Sequence, residues 1–178
     1  MRSVKKLVLS ALCLALCLVL PFLTGQIPQL GNALCPMHLP VLLCGFLCGP
    51  LWAGGIGLIA PLLRYVLFHM PPIYPTAFSM CFELAAYGLV SGLLYRRLPE
   101  KFGWLYLSLI AAMVAGRLVW GAVRAIISGT GGAAFTWALF LTEGFVNAIP
   151  GIIVQLILIP AIVTALQKAR VIDHPRTV

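Results

Sequence analysis

Five ionisable side chains, Arg64, Glu83, Arg117, Arg124 and Glu143, stand inside long apolar runs, with Asn147 and Gln155 as uncharged companions. An ionised group in hydrocarbon is costly enough that each is a candidate for ligand contact by default. Spacing groups them further. Arg117 and Arg124 are seven residues apart and Glu143 and Asn147 four apart, so on helices each pair shares one face. Two faces of this kind could line one cavity. The same charges could instead pair with one another, Glu83 with Arg117 or Glu143 with Arg124, and do no more than lock the helices together. Three arginines against two carboxylates leave one positive charge, which favours a ligand with an anionic group. Trp120, Phe135 and Trp137 fall at a similar level, where they could stack on a ring or anchor at the membrane interface.

Other chemistry finds little support. No nucleophile, base and orienting acid occur at readable spacing, and there is no phosphate-binding glycine loop or His-Glu-x-x-His. No catalytic residue, cofactor or metal site is expected, and the chain is read as a non-catalytic protein. His38 and His69 are isolated. Of the six cysteines, Cys13, Cys17, Cys44, Cys48 and Cys81 lie in apolar runs without zinc spacing, and Cys35 alone falls in a connection. They read as small lipid-compatible hydrophobes. No ATP-binding motif is present, so active transport would need a partner or an ion gradient.

The elements that position these residues follow from composition. The chain has 178 residues, 62% hydrophobic and 9% charged, with a mean hydropathy of +1.06. Soluble domains carry roughly 25% charged residues, so this is an all-α membrane protein forming a single domain over residues 1–178. A bilayer core needs about 20 apolar residues per helix. Breakers and charges then mark six transmembrane helices, near Leu7–Leu23, Leu39–Cys48, Leu51–Phe68, Ala77–Tyr95, Trp104–Ile127 and Phe135–Leu166. The last should kink at Pro150 and Pro160. The connections 24–36, 69–76 and 128–132 carry no Lys or Arg.

Net charge is +8, but its placement speaks for topology rather than nucleic acid. Arg2, Lys5 and Lys6 precede the first span, Arg96, Arg97 and Lys101 follow the fourth, and Lys168, Arg170 and Arg176 follow the sixth. With six spans these regions share one side, and the positive-inside rule makes it the cytoplasm, with both termini there. The basic, apolar start also resembles a signal peptide, but no small-x-small cleavage pair closely follows Leu23. On this topology Glu83 and Glu143 lie on the order of 10 Å below the outer ends of their helices, and Arg64 and Arg117 roughly 20 Å above the inner ends. The charges crowd the outer half. That pattern fits a pocket open to the outside better than a pore, which needs polar residues at every depth.

Several stretches carry a family likeness: Ala11-x-x-x-Ala15 after a basic start, a polar first connection, MHLPVLLCGFLCGPLWAGGIGLIAPLLR (37–64) and NAIPGIIVQLILIPAIVTAL (147–166). Over essentially the whole chain this resembles the substrate-binding S components of energy-coupling factor (ECF) transporters. The resemblance implies a subunit of the bacterial plasma membrane that takes up a vitamin or related small water-soluble micronutrient. Its implied partners are membrane lipid, a transmembrane coupling subunit and two ATP-binding subunits. Docking would run through the first helix at Ala11 and Ala15. The gating connections would hold Gln26, Asn32, His38 and Tyr74. Arg64, Glu83, Arg117, Arg124, Glu143 and Asn147 are the substrate-binding candidates by depth, and Asn147 also precedes a Pro-Gly kink where backbone groups are freed. A self-sufficient ion-coupled secondary transporter is the alternative raised by Glu83 and Glu143, although no internal repeat supports it.

Overall fold

The computed structural model describes residues 3–24, 27–99, 102–131 and 135–169. Helix α1 covers Ser3–Val19 and tightens into a 3-10 turn at Leu20–Thr24. Then come α2 (Pro28–Leu34), α3 (His38–Cys48) and α4 (Pro50–Phe68). A π turn at Ile73–Ala77 leads into α5 (Phe78–Arg97), followed by α6 (Phe102–Gly131). The last part is α7 (Trp137–Leu141), a π turn at Thr142–Val146, and α8 (Ile149–Lys168). All regular structure among the described residues is helical.

Five stretches are long and apolar enough to cross a membrane: 4–23, 50–68, 73–97, 102–129 and 149–168. Two of the six expected spans differ. Helix α3 has 11 residues, roughly 16 Å at 1.5 Å per residue, about half a bilayer core. It packs against α1, α4, α5 and α8, and nearly every residue from His38 to Cys48 is buried. Its all-round apolarity therefore answers to neighbouring helices on every side. The stretch expected as one long sixth span is divided at Asn147-Ala148, where the backbone turns before α8 resumes with Pro150 in its first turn. Pro160 lies within α8, and Thr164 Oγ1 donates to its carbonyl at 2.7 Å.

Two connections are more ordered than their composition suggests. The polar stretch after α1 contains α2, which has Pro28 at its start and a left-handed Cys35 (φ 47°) at its end, and it lies against α8. The Ser-Gly-Thr-Gly run is the final turn of α6.

One face of α1, formed by Ser10, Cys13 and Cys17, is buried against α3 and α4. Small residues bring α4 and α5 together. A Cβ on Gly57 would sit 2.4 Å from the Leu84 carbonyl, and one on Gly88 would sit 2.5 Å from the Ala53 carbonyl carbon. The two backbones touch, which is the use small residues have in membrane helices.

Hydrogen bonds define the end of the bundle away from the charged residues. Cys48 Sγ donates to the Lys6 carbonyl at 3.6 Å, Arg96 donates to the Cys48 carbonyl at 3.1 Å, and Gln167 Nε2 bonds Tyr95 Oη at 2.6 Å. The start of α1 and the ends of α3, α5 and α8 therefore meet there. Lys6, Arg96 and the close of α8, each next to a different basic stretch of the sequence, lie at this one end.

Candidate functional site

At the opposite end, where α3 begins, the six depth-selected residues Arg64, Glu83, Arg117, Arg124, Glu143 and Asn147 all line one cavity of about 440 Å³. Such a volume is ordinary for a small-molecule site. Helix α4 supplies Arg64 one turn before its end, α5 supplies Glu83 in its second turn, and α6 supplies Arg117 and Arg124 from one face. Glu143 and Asn147 come from the π turn and bend ahead of α8. Arg117 and Arg124 share a face of α6 as their spacing predicts, whereas Glu143 and Asn147 reach the cavity from a π turn and the bend after it rather than from one α-helical face.

Glu83 sits at the centre and is 1% exposed. Its Oε1 accepts from Arg117 Nη1 at 2.8 Å and from His38 Nε2 at 3.1 Å. The His38 ring meets the buried Tyr87 ring edge-on, with centroids 5.0 Å apart. Arg117 also donates through Nη2 to Cys35 Sγ at 3.2 Å, and Gln155 Nε2 donates to the Cys35 carbonyl at 3.5 Å. One cluster thus joins α3, α5, α6, α8 and the bend after α2. Burial pushes the Cys35 thiol pKa up, and the Arg117 guanidinium opposes that shift.

The second ion pair, Arg124 with Glu143, is looser at 3.6 Å and half-exposed. Arg124 also lies 5.7 Å from the centre of the Trp120 ring. Trp120 packs on Phe135 and Phe140, while Trp137 packs on Phe140, so these aromatics form a wall holding α6 to α7. Both pairings foreseen as structural locks exist, and both face the cavity. Locking and lining turn out to be the same residues.

Arg64 is engaged differently. Its guanidinium donates to the Leu18 carbonyl and lies 5.0 Å from the Phe22 ring centre and 5.4 Å from that of Phe68. It ties α4 to the 3-10 turn of α1.

Among the described residues, four buried side-chain polar atoms have no hydrogen-bond partner: His38 Nδ1, Arg117 Nε, Arg124 Nε and Gln155 Oε1. Three belong to residues lining the cavity. Buried polar groups are seldom left unpaired, and here the residues of the cavity wall carry donors and acceptors that no described protein group takes up.

Expectations for the gating residues divide. His38 belongs to the buried cluster at the start of α3 rather than to a connection, because Glu83 draws it inward. Tyr74 lies exposed in the π turn before α5, and its neighbours Pro71, Pro72 and Thr76 line the cavity. Gln26 lies outside the described residues, as does the side chain of Asn32, whose backbone belongs to α2. Ala11 and Ala15 are on the exposed side of α1. Cys35 was not among the expected site residues, since nothing in its sequence neighbourhood points to Arg117, 82 positions away. Met37 and Met80 are further lining residues of apolar type that carried no signal. Among the described residues, no group of His, Cys, Asp or Glu is arranged to hold a metal.

The family model for the ECF transporter substrate-specific component matches residues 5–163. No curated protein and no solved structure matches the chain. The matched region begins before the buried face of α1, contains every residue of the cavity, and ends within α8. The chain therefore belongs to the substrate-specific components of ECF transporters, multi-pass membrane subunits that select the cargo.

Proposed function

We propose that this subunit captures a vitamin or related small water-soluble micronutrient in the cavity at the charged end of its bundle. As an ECF substrate-specific component it works with a coupling and ATPase module. The observation that carries the reading is the convergence of Arg64, Glu83, Arg117, Arg124, Glu143 and Asn147 on one cavity of about 440 Å³. The end gathering Lys6, Arg96 and the close of α8 is the cytoplasmic one by the positive-inside rule, in a bacterial plasma membrane with both termini inside. The cavity then faces outward. The segment 26–35 and the stretch 71–76 serve as its cover. Helix α1 presents Ala11 and Ala15 on its exposed side, where small side chains allow a helix of the coupling subunit to approach closely.

The test is mass spectrometry of small molecules released from the purified, folded chain. One vitamin-type compound, near one per chain, is the expected result. Glu143→Ala and Asn147→Ala, at exposed positions lining the cavity, should each lower its occupancy about tenfold, the loss of roughly 1.4 kcal/mol of binding. Full occupancy in both variants would move the binding site elsewhere.

A further inference from the structure

We infer that the substrate is a small organic monoanion, a carboxylic acid bearing at least one hydroxyl or amide group, and that Arg64 holds its charge. This rests on the reading of the cavity as the substrate site. Of the three arginines that line it, two are already neutralised: Arg117 lies 2.8 Å from Glu83, and Arg124 lies 3.6 Å from Glu143. Arg64 faces no carboxylate among the described residues. Its partners are the Leu18 carbonyl and the faces of Phe22 and Phe68. A carbonyl oxygen and ring faces orient a guanidinium through partial charges but leave its full charge in place.

The side chain is nonetheless 3% exposed. A charge buried in a membrane protein without a counter-ion is expensive, and of the five N–H donors of a guanidinium the Leu18 carbonyl takes up one, on Nη1. An anionic ligand group supplies both the missing charge and the acceptors. The sequence count of three arginines to two carboxylates says only that one positive charge is left over. The pairing geometry assigns that charge to Arg64, at the α1–α4 side of the cavity.

The valence and polarity of the ligand follow from the same inventory. One unneutralised cation matches one negative charge, whereas a phosphate monoester would bring close to two. Arg117 Nε and His38 Nδ1, buried without partners on other sides of the cavity, call for uncharged hydroxyl or amide groups on the remainder of the molecule. Burial of these groups without partners would otherwise be unfavourable.

The experiment uses matched acid and neutral probes on the purified full chain in detergent: pantothenate with pantothenol, nicotinate with nicotinamide, and biotin with its amide. Apparent affinities come from titrating the unfolding midpoint. At least one acid should bind tenfold or more tightly than its neutral twin. Arg64→Gln should erase that preference and Arg64→Lys, which keeps the charge, should retain it. Because Arg64 also braces α1, the wild-type ratio together with Arg64→Lys carries the test if Arg64→Gln does not fold. No acid outperforming its twin, or a preference surviving in folded Arg64→Gln, overturns the inference. Co-purification with the coupling and ATPase subunits separates the two readings. An assembled complex that prefers a neutral twin sinks only the anion site, while a chain that neither assembles nor binds any probe sinks the transport reading with it.

Discussion

Glu83 carries two partners on one carboxylate oxygen, Arg117 at 2.8 Å and His38 at 3.1 Å, in a setting almost closed to solvent. Removing one member of such a buried pair leaves the other charge stranded, at about 3–5 kcal/mol. Arg117→Ala should therefore lower unfolding stability by that order, whereas Arg124→Ala, from the looser and half-exposed pair, should cost at most about 1 kcal/mol. Denaturant or thermal unfolding in detergent distinguishes the two; equal losses would mean that Glu83 is not the hub of the cluster. A second expectation concerns Cys35. Burial raises its thiol pKa, so at pH 7 it is protonated, and only the thiolate attacks alkylating reagents. Alkylation by N-ethylmaleimide, mapped by peptide mass spectrometry, should speed up roughly tenfold per pH unit while the thiol is mostly protonated. Saturating substrate should suppress it, since Cys35 lines the cavity. A rate indifferent to substrate would show that the thiol is reached by another route.

At the scale of elements, the α4–α5 contact positions the centre of the site. Gly57 and Gly88 bring backbone onto backbone, and Arg64 and Glu83 stand on those same two helices, each within two turns of a contact. Gly88→Val would have to push α4 away by more than an ångström, displacing Glu83 from its partners. Loss of folded yield or a destabilisation of several kcal/mol is the expected outcome of such overpacking, and near-normal stability would argue that the helices have room to part. Helix α2 has seven residues and packs on α8, an arrangement too short to be stable alone. Substrate should therefore protect the segment 24–36 from limited proteolysis; unchanged cutting at saturating ligand would remove α2 from the cover.

For the molecule as a whole, two sets of residues occupy opposite ends. Charged residues and the cavity lie where α3 begins, and the basic regions lie where α1 starts and α5 and α8 finish. Replacing Ala11 and Ala15 together by Trp should abolish assembly with the coupling subunit and transport while leaving substrate affinity within about twofold, because both side chains are exposed and remote from the cavity. Loss of substrate binding in that double variant would instead mean that α1 supports the site directly.

Membrane class, approximate helix limits, the basic clusters at span ends, and the six charged or polar residues that line the cavity are all legible along the chain. Each follows from a local rule: hydropathy over a bilayer length, helix breakers, charge at span ends, and helical periodicity. Which residues meet depends instead on how the helices pack. Nothing local distinguishes α3, an apolar helix enclosed by others, from a span facing lipid, because both environments select the same side chains. Nor does local sequence reveal that a seven-residue helix fills the polar first connection, that His38 turns inward to Glu83, or that Cys35 approaches Arg117. Those contacts join residues 45 and 82 positions apart. They exist because small residues let α4 and α5 close together and because buried charges must find partners, conditions set by packing across the whole bundle rather than along the chain.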